Sequence, residues 1–174
     1  ELAERMGGAV GVDSDGRNGS CFWAELTLPA EAPPGAADAT SMLRPLAGLQ
    51  VLVVEDNPVN RLIVGAMLAR LGAQVHEAED GEQAVTLGTA ADVQVHVVLM
   101  DLHMPVLDGL SATRRLRADA RSAALPIYAL SAAVLEQERQ AAADAGMNGF
   151  IAKPVLEAEL LQVLRPWVPR AVDG

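Results

Sequence analysis

The chain has 174 residues, a formal net charge of −10 and a single cysteine. Half of its residues are hydrophobic, which excludes wholesale disorder, while one cysteine excludes an internal disulfide or a cysteine-based zinc site. The acidic balance argues against nucleic acid as a partner, and no apolar stretch is long enough to span a membrane, so we expect neither contact. Among 13 basic residues, Lys153 is the only lysine.

The first 46 residues differ from the rest of the chain in composition and in hydrophobic periodicity. Residues 1–28 are rich in glycine and end in an alternating run, Cys21–Leu28, which predicts one strand preceded by a turn. Residues 29–46 contain four prolines and many small side chains without a hydrophobic period. This composition is typical of an extended, semi-flexible linker.

From about Ala47 onward, short apolar runs alternate with segments of helical spacing. A β-α alternation repeated five times predicts an α/β fold, with a doubly wound parallel sheet, helices on both faces and right-handed crossovers. The predicted strands are Gln50–Val54, Gln74–Glu77, Val93–Met100, Leu125–Leu130 and Gly149–Ala152. The predicted helices are about Asn60–Leu71, Gly81–Ala90, Leu107–Ala118, Leu135–Ala145 and Val155–Leu164.

Polar residues follow four of these strands. Ligands of open α/β sheets bind beyond the carboxyl ends of the strands, so these positions are where chemistry is expected. If the strand order is 2-1-3-4-5, the four strands are neighbours and their polar residues converge on one cavity. The residues are Glu55 and Asp56 after the first strand, Asp101 after the third, Ser131 after the fourth and Lys153 after the fifth.

Three carboxylates at one site repel each other and require a cation. Because no cysteine or histidine belongs to the set, the hard oxygen ligands favour magnesium. With a metal, the Ser131 hydroxyl and the Lys153 ammonium could stabilise a phosphoryl group during in-line transfer. The carboxylate of Asp101 could then act as the nucleophile and form an acyl phosphate.

Four sequence blocks carry a family resemblance. VLVVEDNPVN (51–60), MDLHMPVLDG (100–109), ALSA (129–132) and GMNGFIAKP (146–154) resemble a response-regulator receiver domain over about residues 47–168. The resemblance implies a flavodoxin/receiver-like fold with five parallel strands in the order 2-1-3-4-5. It also implies a role in a two-component phosphorelay.

The resemblance assigns roles to individual residues. Asp101 would accept a phosphoryl group from a phosphohistidine, assisted by Ser131 and Lys153. Magnesium would be held by Glu55, Asp56, Asp101 and the main-chain carbonyl of His103. Ser131 and Phe150 stand at the two switch positions. The bond between Lys153 and Pro154 is commonly cis in such domains, and only bonds to proline adopt cis at low cost.

A second resemblance covers residues 1–28 only. LAERMGG (2–8), GSCFW (19–23) and the closing strand look like the end of the ATP-binding domain of a histidine kinase. Twenty-eight residues cannot bury a core of their own, so we do not expect this segment to bind ATP. The expected organisation is a remnant of that domain (1–28), a Pro/Ala linker (29–46), the receiver domain (47–168) and a tail (169–174), at the carboxy-terminal end of a hybrid histidine kinase.

The histidines of the chain do not look like phosphodonors. His76 is followed by Glu77, as in a phosphodonor box, but it lies on a predicted strand and not on a helical hairpin. His96 lies in an apolar run and is expected in the core or on a strand face, while the side chain of His103 is expected to face solvent. The expected partners are therefore a histidine kinase domain as the donor and a histidine phosphotransfer protein. The resemblance implies a cytoplasmic location, with a parent protein that could be anchored in a membrane.

Three other functions compete with this interpretation. An aspartyl-phosphate phosphatase would need a second acid two residues after its nucleophile, where this chain has His103. A flavodoxin-type nucleotide or flavin site would need a Gly- or Ser/Thr-rich loop after the first strand, where this chain has Glu55 to Pro58. A receiver that serves only as a constitutive interaction module would not need the intact acidic set.

Overall fold

The computed structural model describes residues 9–14, 20–25, 44–132 and 136–169. The chain divides into two compact units, Glu1–Met42 and Leu43–Gly174. In the described part of the chain, no helix is long and apolar enough to cross a membrane.

In the amino-terminal unit, strand β1 (Ala9–Ser14) pairs antiparallel with strand β2 (Ser20–Glu25). The sequence predicts one strand here, and it predicts neither β1 nor its pairing. Within β1, Val10 and Val12 alternate with small or polar residues, so the apolar signal is weak. The predicted turn between the strands and the proposed linker lie mostly outside the described residues, and the resemblance of this unit to a kinase domain stays a prediction.

The second unit contains a parallel sheet of five described strands. The order along the sheet is β4-β3-β5-β6-β7, which confirms the predicted order 2-1-3-4-5 counted within this unit. All four pairings are parallel. The strands are β3 (Gln50–Val54), β4 (Gln74–Ala78), β5 (Val97–Asp101), β6 (Ile127–Ser131) and β7 (Gly149–Ala152).

Helices connect and follow the strands at the predicted places. Those in the described residues are α1 (Pro58–Arg70), α2 (Gly81–Thr89), α3 (Gly109–Ala118), α4 (Glu136–Ala145) and α5 (Glu157–Leu164). A short 3-10 turn, Arg165–Trp167, follows α5.

Side chains and glycines define the helix ends. Asp108 caps α3 by accepting a hydrogen bond from the Ser111 main-chain nitrogen at 2.9 Å. That hydrogen bond is the main reason why the pKa of Asp108 is lowered. Gly72 and Gly146, which the sequence places just after α1 and α4, have φ angles of 95° and 93°. These left-handed conformations are favourable for glycine and end the helices.

The apolar side chains of the strands pack on both faces of the sheet. Along β3, Val51 and Val53 point into one cluster with Leu68 of α1 and Leu160 of α5. The alternate residues of the strand pack into a second cluster with α2 and α3. A central strand buried on both faces reads as a continuous apolar run, which explains why the sequence identifies these strands well.

The third strand of the sheet begins later than the apolar run indicates. The run starts at Val93, whereas β5 starts at Val97. His96 therefore lies just before the strand and is half-buried, and not in the core or on a strand face as expected. Its main-chain nitrogen donates to the Gln50 carbonyl at 2.9 Å, and its Nδ1 accepts from the Gln50 nitrogen at 3.0 Å. Val95 packs against the core from the preceding loop, so its apolar character does not mark a strand.

Gly109 allows α3 to begin directly against the end of β5. A Cβ atom at this position would lie 2.1 Å from the carbonyl oxygen of Asp101. The main chain would have to move to relieve this contact, because the neighbour is backbone and not a flexible side chain.

We expect Gly109→Ala to lower the free energy of unfolding by about 2 kcal/mol, because the added methyl overpacks the end of β5. Urea unfolding measures this change. Gly65→Ala is the matched control, since its Cβ would make only ordinary contacts, at 3.4 Å from Glu77 Oε1. In the interior of α1 alanine is favoured over glycine, so the control should be neutral or stabilising. An equal loss in the free energy of unfolding in both variants would contradict the claim that Gly109 is required for the close approach of α3 to β5.

Candidate functional site

The pairing register places the predicted site residues at one edge of the sheet. Asp101 ends β5 opposite Leu130, and the next residue, Ser131, ends β6 opposite Ala152. Glu55 follows the last residue of β3, and Lys153 follows the last residue of β7. Because neighbouring strands lie about 4.8 Å apart, these four residues lie side by side at the carboxyl ends of the strands.

Within the described residues, Glu55, Asp56 and Asp101 form a carboxylate cluster. One oxygen of each lies within 4.8 Å of the others. Glu55 is 1% exposed and Asp101 6% exposed, whereas Asp56 lies at the surface. An all-oxygen set of this kind, open on one side, fits a hard divalent cation that keeps part of its water shell.

Lys153 joins the two buried carboxylates. Its Nζ lies 2.6 Å from Glu55 Oε2 and 2.6 Å from Asp101 Oδ2. Burial acts to lower the pKa of Lys153, but the hydrogen bonds and negative charges of Asp101 and Glu55 outweigh it, and the pKa is raised. The peptide bond between Lys153 and Pro154 is cis, as the resemblance implies.

Two residues in the first turns of α1 hold the acidic loop in place. Asn60 Nδ2 donates to Glu55 Oε1 at 3.1 Å. Arg61 donates to the Glu55 carbonyl oxygen at 2.6 Å, and its side chain also pairs with Glu77 and Glu79 on the adjacent strand and loop. Neither residue is predicted from the sequence. Their position, five and six residues after Glu55, is the one signal that could have indicated them.

The loop after β5 orients the Asp101 carboxylate through a hydrogen bond. The main-chain nitrogen of His103 donates to Asp101 Oδ1 at 3.0 Å, so the two carboxylate oxygens have different partners. The His103 side chain is 75% exposed, in agreement with the expectation that it faces solvent. The role of its carbonyl oxygen as a metal ligand stays a prediction.

The two predicted switch residues both contact α4. Ser131 is 2% exposed, and its hydroxyl donates to Glu138 Oε2 at 3.1 Å. Phe150 is half-buried, and the guanidinium carbon of Arg139 lies 5.9 Å from its ring centroid. Neither Glu138 nor Arg139 is predicted from the sequence, because nothing in their spacing distinguishes them from other charged residues on a solvated helix.

A cavity of about 500 Å³ extends from the acidic cluster along α1. Its polar end contains Glu55 and Lys153, and the remainder is mainly apolar. Next to it, α1 exposes Val59, Leu62 and Ile63, which are 61%, 69% and 47% exposed. An exposed apolar surface of this kind beside a polar site is typical of a protein-binding face.

Comparisons with known proteins give consistent matches. A family model described as response regulator receiver domain matches residues 51–165. The sensor histidine kinase AruS of Pseudomonas aeruginosa is 34% identical over 165 residues, which is 94% of this chain and 16% of that protein. The chain spans between 14% and 26% of the length of the first curated relatives that it matches.

Solved structures are also similar to this chain. The receiver domain of the sensor histidine kinase PA1611 from Pseudomonas aeruginosa, described with a magnesium ion coordinated in its active site cleft, has a TM-score of 0.64 and 44% identity, covering 70% of this chain and 98% of that one. A co-crystal structure of the Saccharomyces cerevisiae histidine phosphotransfer protein Ypd1 with the receiver domain of Ssk1 gives a TM-score of 0.63 and 27% identity, covering 74% and 97%.

We expect Lys153→Met to lower the free energy of unfolding by about 3 kcal/mol in magnesium-free buffer, because it leaves two buried carboxylates unpaired. Since the pKa of Lys153 is raised in the folded protein, its contribution is complete below the unfolded value of about 10.4 and is lost as the pH rises through the folded pKa. Chemical unfolding between pH 7 and pH 10 should therefore give a constant difference in the free energy of unfolding between the wild type and Lys153→Met.

The control for this experiment is Arg70→Met, which removes an exposed pair with Glu157. Exposed pairs contribute about 0 to 1 kcal/mol, so this variant should change little. Similar losses in the two variants would contradict a special role for the Lys153 pair.

Proposed function

Because the chain belongs to the response-regulator receiver family, we propose that its Asp101 carboxylate accepts a phosphoryl group from a phosphohistidine. The observation that carries this proposal is the position of Asp101, buried at a strand end beside the carboxylates of Glu55 and Asp56 and paired with Lys153. As a receiver domain of a two-component system, the chain would relay the phosphoryl group or signal its presence onward.

The transfer is a displacement at phosphorus. A new bond forms between an Asp101 oxygen and phosphorus, the phosphorus–nitrogen bond breaks, and its electron pair returns to the imidazole of the donor. Lys153, which already pairs with Asp101 Oδ2, and the Ser131 hydroxyl would stabilise charge on the phosphoryl oxygens. Position 103 bears an exposed histidine and no acid, which supports an acceptor role over a phosphatase.

The residues present fit magnesium. We propose that Glu55, Asp56, Asp101 and the His103 carbonyl oxygen would hold it, as the acidic cluster and the magnesium-containing relative support. When bound, the ion would supply positive charge that offsets the negative charges of the carboxylates and of a phosphoryl group.

We propose that a helical phosphohistidine domain docks on the exposed apolar face of α1 formed by Val59, Leu62 and Ile63. The cavity beside this face leads to Glu55 and Lys153, so a partner seated there would present its histidine to Asp101. The co-crystal of Ypd1 with a receiver domain supports a histidine phosphotransfer protein as one such partner. The similarity to the sensor histidine kinase AruS supports a kinase domain as the other.

The parent protein is proposed to be a hybrid histidine kinase that works in the cytoplasm. The alignment with the sensor histidine kinase AruS covers 94% of this chain, so it extends beyond the receiver domain into the amino-terminal residues. This extent supports the assignment of residues 1–28 to the end of an ATP-binding domain, followed by the linker 29–46, the receiver 47–168 and the tail 169–174.

We expect Asp101→Asn to abolish labelling of the chain by acetyl phosphate or a phosphohistidine donor, because an amide is not a nucleophile for phosphorus. Phosphate-affinity gels or intact-mass spectrometry with magnesium present would measure this. Asp108→Asn is the control, since asparagine also caps a helix and Asp108 lies outside the carboxylate cluster. Undiminished labelling of the Asp101 variant would contradict the proposal.

We expect Leu62→Ser to slow phosphotransfer from a phosphohistidine protein at least about tenfold while leaving labelling by acetyl phosphate unchanged. Loss of a buried leucine at an interface costs about 1.5–3 kcal/mol, whereas a small donor does not need the face. The control is Leu156→Ser, because Leu156 is an exposed leucine outside α1 and its replacement measures a general loss of surface hydrophobicity. Equal slowing with both donors would place the defect in the active site and not in docking.

A further inference from the structure

Glu138 connects the two loops that flank the phosphoacceptor. Its Oε2 accepts the hydrogen bond of the Ser131 hydroxyl at 3.1 Å, and its Oε1 lies 3.7 Å from Nε2 of His103. Ser131 ends β6, and His103 follows Asp101 by two residues and donates its main-chain N–H to the Asp101 carboxylate. The Glu138 side chain is 25% exposed, so these contacts are partly shielded from water.

The Ser131 hydroxyl has one proton to donate. In this structure it is directed at Glu138, and an ionised carboxylate can only accept. A phosphoryl group on Asp101 also presents only acceptor oxygens. The hydroxyl therefore cannot donate to both, and stabilisation of the phosphoryl group requires that Ser131 leave Glu138.

We propose that Glu138 is a positioning residue that holds Ser131 in the unphosphorylated arrangement and competes with the phosphoryl group for its proton. This inference rests on the proposed function of Asp101 as acceptor. The competition sets how strongly the site favours the phosphorylated state. The competing group, Glu138, belongs to α4 and not to the strand ends that carry the site residues.

The same turn of α4 connects this competition to a surface. Arg139, next to Glu138, lies over the ring of Phe150 on β7. Release of Ser131 removes the hydrogen bond by which Glu138, on this turn, contacts the end of β6. The exposed face of α4 and β7 is thereby coupled to the chemical state of Asp101, since one hydrogen bond contributes to both.

The test uses beryllium fluoride, a tetrahedral phosphoryl mimic, titrated with magnesium into the full 174-residue chain and followed by amide NMR. Glu138→Ala should bind the mimic about fivefold more tightly, the factor that corresponds to one net hydrogen bond. The Glu138→Gln variant keeps a hydrogen-bond acceptor without the charge. Its affinity for the mimic should lie between the affinities of Glu138→Ala and the wild type. Glu136→Gln, on the same turn of α4, is the matched control for charge and should leave the affinity unchanged.

The decisive comparison repeats Glu138→Ala in a Ser131→Ala background. With no hydroxyl to release, the effect of Glu138→Ala should fall below about twofold. The same gain in both backgrounds, or no gain in the wild-type background, would overturn the inference while leaving Asp101 as acceptor intact. Failure of the wild type to bind the mimic, together with failure to label, would overturn the proposed function itself.

Discussion

The ion pair between Lys153 and the two buried carboxylates of Glu55 and Asp101 is the interaction on which the site depends. Two carboxylates with nearly complete burial would repel each other strongly in a medium of low dielectric constant. One ammonium nitrogen at 2.6 Å from both offsets that repulsion. The lone lysine of a chain otherwise rich in arginine thus lies where a compact charge fits between two oxygens and a planar guanidinium would be too wide.

The fold brings these charges together and also keeps them in register. Parallel pairing aligns the ends of β3, β5, β6 and β7, and the absence of a side chain at Gly109 lets α3 begin against the Asp101 carbonyl. The first turns of α1 then hold Glu55 through Asn60 and Arg61. The same strand order therefore builds both the core and the acidic site. A change in the pairing register of one strand would disturb both.

The sequence predicts the strand order and the residues at the strand ends, because continuous apolar runs identify buried strands and the polar residue that follows each run is read directly. It does not predict Asn60, Arg61 or Glu138, whose contacts depend on how helices pack on the sheet and on side-chain conformation. It also misses β1, where Gly11 and Asp13 weaken the apolar pattern, and it starts β5 too early because Val93 and Val95 are apolar loop residues. Local pattern identifies elements, while contacts between elements require the folded structure.

If the buried carboxylate of Asp101 becomes an acyl phosphate, the phosphoryl group must be found on that residue, and chemical mapping of its position tests this. The full chain would be incubated with a phosphohistidine donor and magnesium, reduced with borohydride to convert an aspartyl phosphate to homoserine, and mapped by peptide mass spectrometry. We predict homoserine at position 101 and aspartate unchanged at positions 56 and 108. Phosphorylation of the chain with no homoserine at position 101, or homoserine at another position, would show that Asp101 is not the acceptor.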